Sequence, residues 1–112
     1  MVTVNQLQEL HSQLDELNSY VHMYGGDDDG LNDREYAERH IKAIRGELRF
    51  DVLRKATEQV DWSDEDEKTQ YKENLEAQVA ELEEKLDEGD YGSVNPHVNY
   101  LIDCCIGLIE DL

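Results

Sequence analysis

The sequence predicts an all-α fold: a four-helix bundle-like arrangement of antiparallel helices, with dimerisation as one way of completing its core. Three observations predict it. Apolar residues recur at three- and four-residue spacings along most of the chain, glycines fall mainly between those periodic stretches, and there is one proline. The 112 residues suffice for one domain with a modest core. No internal repeat or second domain is visible, so 1–112 reads as a single acidic helical domain.

The first helix is expected over about residues 5–24. Leu7, Leu10, Leu14, Leu17, Val21 and Tyr24 alternate in steps of three and four, a narrow seam of the coiled-coil kind. Gly25-Gly26-Asp27-Asp28-Asp29-Gly30 then ends it. The second helix is expected over 31–57, with one stripe of Ala37, Ile41, Ile44, Leu48 and Val52. A second stripe of Tyr36, Ala43 and Phe50, with Leu53 to its side, lies on the opposite face. A helix apolar on two faces is central or has a second partner, so Tyr36, Phe50 and Leu53 are a candidate apolar interface.

The third helix is expected over 64–88. Ser63 reads as its N-cap, and Asp64, Glu65 and Asp66 in its first turn complement free backbone N–H groups and the helix dipole. Tyr71, Leu75, Val79, Leu82 and Leu86 form its buried stripe, and Gly89 and Gly92 lie in the following loop. Asn95-Pro96 opens the fourth helix as an N-cap followed by proline at the first position. Val98, Leu101, Ile102, Cys105, Leu108, Ile109 and Leu112 give it a wide apolar face, extended by Cys104 and Ile106. It is the most buried helix or one that joins another chain. Short connections favour antiparallel neighbours.

The charge is the other dominant feature. The chain has 28 acids and 10 Lys or Arg, a formal net charge of -18. That exceeds the usual range for a small domain, and its self-repulsion opposes compaction. Acidic composition also favours disorder, against which the regular apolar spacing predicts a folded chain. The N-terminus lacks the basic head and apolar run of a signal peptide. The longest apolar segment, near 98–109, is too short to span a bilayer and carries Asp103. Adjacent Cys104 and Cys105 make no framework of spaced disulfides, so a reducing cytoplasmic setting is expected, that of a host cell if the chain is phage-encoded.

Seven of the ten bases lie in 31–57, a segment with five acids; the remainder carries 23 acids against three bases. The third helix is the extreme. Asp66, Glu73, Glu76, Glu81, Glu83, Glu84, Asp87 and Glu88 fill the face opposite Leu75 and Leu82. From Glu73 to Glu88 the carboxylates recur about every 3 Å along the axis, close to the phosphate spacing of roughly 3.4 Å on one strand of duplex DNA. A plain solvated face is the ordinary reading of a Glu-rich helix. A surface of this sign repels nucleic acid and anionic lipid and attracts basic clefts. These eight acids, helped by Asp27, Asp28 and Asp29, are the expected partner-binding residues, and a basic nucleic-acid-binding protein is the expected partner.

Chemistry-bearing motifs are missing from the pattern. "GGDDDGLND" fails as an EF-hand: with Gly30 at the sixth loop position, Gly25 would replace the required Asp and Tyr36 the required Glu. His11 and His22 are too far apart along a helix to share a metal, and His40 and His97 lack ligand-spaced neighbours; all four are expected to be exposed or capping. Cys104 and Cys105 read as small core residues. No phosphate loop or nucleophile–base grouping is present. No enzyme, catalytic residue, cofactor or metal is expected.

In size, helix content and charge the chain resembles small phage proteins that block restriction or CRISPR enzymes by imitating DNA. The resemblance is one of character, without a shared motif, and implies an acidic inhibitor occupying the nucleic-acid-binding surface of its target. An immunity protein or antitoxin neutralising a basic nuclease toxin would present the same surface physics. A coiled-coil assembly protein would use the first-helix seam and need the acids only for solubility. Adaptation to strong brine would explain the charge without any binding role.

Overall fold

A computed structural model describes residues 1–24 and 31–112, with side chains for all of these except 31–33. Asp27, Asp28 and Asp29 lie outside the described residues. Five α-helices and one short 3₁₀ turn account for the described chain: α1 (Val4–Tyr24), α2 (Leu31–Glu47), α3 (Asp51–Gln59), α4 (Glu65–Glu88), the turn Tyr91–Ser93, and α5 (Asn95–Asp111).

α1 starts at a reciprocal cap. The Thr3 hydroxyl accepts from the Gln6 N–H at 3.3 Å, and the Gln6 side chain accepts from the Thr3 N–H at 2.9 Å. The expected seam of Leu7, Leu10, Leu14, Leu17 and Val21 is buried. α1 packs against α2 on one side and α5 on the other. Contacts of Tyr20 with Tyr36 and His40, and of Asn18 with Asn99, set both neighbours antiparallel to it. α4 in turn packs antiparallel on α5, where His97 meets Gln78 and Tyr71 reaches Cys104.

The expected second helix is two helices. α2 ends at Glu47 and α3 begins at Asp51. The cause lies in the two apolar stripes, which a straight helix would point in opposite directions. The break lets Val52, Leu53 and Ala56 turn into the same core as Ile41 and Ile44. α3 then packs against α5, α1 and α4. Phe50 and Leu53 are therefore interior, and the expected apolar interface of Tyr36, Phe50 and Leu53 does not exist as one surface. Of the three, Tyr36 alone is exposed, at 48 %.

Two caps also differ from expectation. Asp64, not Ser63, caps α4: its backbone is extended and its carboxylate accepts from the Asp66 N–H at 2.9 Å. α5 starts one residue earlier than its Asn-Pro signal indicates, with Val94 preceding it. The Asn95 side chain turns instead toward His22, at 3.4 Å. Between α3 and α4, the Trp62 indole N–H donates to the Thr57 carbonyl at 2.8 Å, and its ring lies 5.2 Å from that of Tyr71. α4 ends at Gly89, whose φ of 79° lets the Asp90 N–H return to the Lys85 carbonyl at 2.9 Å.

Leu17 is fully buried in the α1 seam. Leu17→Ala should lower unfolding stability by about 2–5 kcal/mol in chemical denaturation. Two glycine substitutions should move stability in opposite directions. Gly89→Ala is strained in the left-handed region and should cost about 1 kcal/mol. Gly46→Ala sits in α2 with open space around the added carbon and should gain about 0.5 kcal/mol.

Candidate functional site

α4 is an unbroken helix of 24 residues whose four apolar positions, Leu75, Val79, Leu82 and Leu86, face the core. The remaining helical geometry dictates where the acids go. Asp66, Glu73, Glu76, Glu81, Glu84, Asp87 and Glu88 are exposed, and Glu83 is half-buried at the flank. The eight acids expected from sequence thus share the outward side of one rigid element.

The fold does not leave them all equivalent. Arg45 of α2 approaches Asp87 at 2.7 Å, and Arg54 of α3 approaches Glu76 at 3.6 Å. His97 of α5 lies 3.4 Å from Glu81 while its Nδ1–H donates to Gln78 at 2.5 Å. Part of the basic second segment is therefore spent on α4. Among the described residues Asp66, Glu73, Glu83, Glu84 and Glu88 have no ion-pair partner. Lys85 does not pair with Glu81 but lies 3.7 Å from Asp90. Glu81, Glu84, Lys85, Glu88 and His97 line a shallow hollow at the C-terminal part of the helix.

His97 is not the exposed or capping histidine expected. Its side chain is 15 % exposed and it braces α4 against α5. His40 donates through Nδ1 to the Tyr36 carbonyl at 2.9 Å and stacks on Tyr20 at 4.6 Å. Tyr20, Tyr36 and His40 form a small aromatic cluster that joins α1 to α2 at the surface. Periodicity places Tyr36 outside the main stripe, but Tyr20 carries no such signal.

Cys104 and Cys105 are buried free thiols. Burial pushes the Cys105 thiol up to about 12 and raises that of Cys104 as well. A protonated, enclosed thiol is a poor nucleophile and a poor metal ligand. Among the described residues, no group of three or more His, Cys, Asp or Glu side chains converges as a metal site, and no helix is long and apolar enough to cross a membrane.

The strongest local ion cluster lies beside the acidic rim. Glu58 of α3 takes hydrogen bonds from Lys72 and Lys68 of α4, and the two ammonium groups hold its carboxyl at about 2. A carboxyl held below its ordinary 4.5 stabilises the fold above that pH, and the contribution fades as pH falls toward 2. Replacing both Lys68 and Lys72 by Gln should return the Glu58 midpoint toward 4.5 in an NMR titration and remove this part of the acid sensitivity. No family model, curated protein or solved structure matches this chain.

Proposed function

We propose that the protein is an acidic inhibitory binder that occupies the nucleic-acid-binding surface of a basic target protein. The observation that carries this reading is the outer face of α4. Its unpaired carboxylates stand on a rigid helix with nothing in the described chain to neutralise them. A cationic groove that meets this face exchanges its counterions for fixed carboxylates, as it does with a phosphate backbone. Long-range attraction speeds the encounter, and the array sets its orientation. The seam on which a coiled-coil assembly reading rests is occupied within the chain by α2 and α5, which favours a binding role for the surface over an assembly role for the helices.

The test uses Glu73→Lys, Glu84→Lys and Glu88→Lys together. These three sites are exposed and unpaired, so the variant keeps the Arg45–Asp87 and Arg54–Glu76 bridges. Lys is also nearly as good a helix former as Glu. Displacement of labelled duplex DNA from a panel of nucleases and of CRISPR and restriction effectors would be followed by fluorescence anisotropy. Wild-type protein should displace the duplex from its target and lose affinity steeply between about 50 and about 200 mM salt. The triple variant should keep its circular dichroism spectrum and displace at least about tenfold less well. Equal displacement by the variant, or none by the wild type from any basic partner, would overturn the reading.

A further inference from the structure

The boundary between α1 and α5 is polar at one end and apolar at the other. Asn18 donates to Asn99 at 3.1 Å and Asn95 meets His22 at 3.4 Å. These contacts fix an antiparallel register. Continuing it in helical steps of three and four brings Asp15 level with Ile102, His11 with Ile106 and Gln8 with Ile109. Ile106 is 42 % exposed, and Ile102 and Ile109 are half-buried against the core. The three isoleucines form a stripe about 10 Å long beside α1.

One exposed isoleucine is ordinary on a protein surface. What distinguishes this stripe is its electrostatic frame. Neither α1 nor α5 contains a Lys or Arg. Asp103 and Glu110 stand about one turn to either side of Ile106, both exposed, and among the described residues Asp15 has only the His11 imidazole within ion-pair distance, at 3.5 Å. An apolar strip bordered by unopposed carboxylates selects its occupant by sign as well as by shape.

We propose that this seam receives an amphipathic helix of a partner protein, apolar along one stripe and bordered by Lys or Arg. An apolar stripe lies against Ile102, Ile106 and Ile109, and the flanking bases reach Asp15, Asp103 and Glu110, the helix-in-groove mode of recognition. A second copy of the same face fits badly. Isologous pairing would set Asp103 and Glu110 of each copy among those of the other with no base on either helix to separate them. Nucleic acid and anionic lipid are repelled by the same carboxylates. The inference rests on the reading above for the class of partner, a basic protein. It adds a second contact surface, because α4 packs on α5 whereas the seam is the border of α5 with α1.

The probe is a synthetic Leu/Lys amphipathic helix of about five turns, compared with an oligolysine of equal charge. Binding would be measured by fluorescence anisotropy, and its location by methyl NMR of the isoleucines. The amphipathic helix should shift the signals of Ile102, Ile106 and Ile109 and bind more tightly than oligolysine. Ile106→Gln, an exposed site taking a good helix former, should weaken the amphipathic helix about tenfold and leave oligolysine unchanged. The inference is overturned if the methyl signals stay still, or if wild type and Ile106→Gln bind the amphipathic helix equally. A wild-type dimer in sedimentation that Ile106→Gln dissociates would also overturn it, assigning the stripe to a second copy. The triple α4 variant run alongside separates the two readings. Lost DNA displacement by wild type with an intact Ile106 effect removes the rim alone; intact displacement without an Ile106 effect removes the seam alone.

Discussion

Burial of the α1 leucine seam is the interaction on which the rest of the molecule depends. Leu7, Leu10, Leu14 and Leu17 lose essentially all their solvent contact, and α1 touches both α2 and α5. Each fully buried side chain of this kind contributes about 1.5–3 kcal/mol. Together with the equally buried Leu53, Leu75, Leu82, Leu101 and Leu108, which pack into the same core, this burial opposes the repulsion of a net charge of -18. Exposed ion pairs contribute at most about 1 kcal/mol each. The core therefore sets how much uncompensated charge the surface can carry, and α4 displays that charge because its inner face shares the same core.

The bases are placed where they serve the fold. Arg45 and Arg54 bridge to α4 from two different helices, and Lys68 and Lys72 reach back to Glu58. The bridges from Arg54 and Glu58 join α4 to α3, whose apolar contact is limited by its length of nine residues, and the Arg45 bridge ties α2 to α4. They also concentrate the remaining negative charge. Once Glu76 and Asp87 have their arginines, Asp66, Glu73, Glu83, Glu84 and Glu88, with Glu81 beside the His97 imidazole, form the residual pattern that a cationic surface would meet.

Much of this was legible in the sequence where the signal was local. The three-four spacing of Leu7 to Val21 and of Leu75 to Leu86 identified the buried faces of α1 and α4, and the same wheel put the acids of α4 outward. The α2–α3 break was not legible. Leu48 still donates its N–H to the Ile44 carbonyl at 3.0 Å, so the chain stays helix-like up to the point where it turns, and no Pro marks the site. Phe50 and Leu53 were misplaced for that reason, since their phase was counted through a bend. The bridges from Arg45 to Asp87 and from Glu58 to Lys68 and Lys72 were invisible because they cross between helices, and only the packing sets which faces meet. The isoleucine stripe on α5 had the right spacing to be noticed, but only the packing of α1 decides which of its members remain uncovered.

The joint between α3 and α4 gives the molecule an intrinsic optical reporter. Its one tryptophan is held there by the Thr57 carbonyl and the Tyr71 ring. Loosening of α4 from α3 would part the indole from the Tyr71 ring and open it to water. Intrinsic emission therefore reports whether this joint is closed in the unlabelled protein.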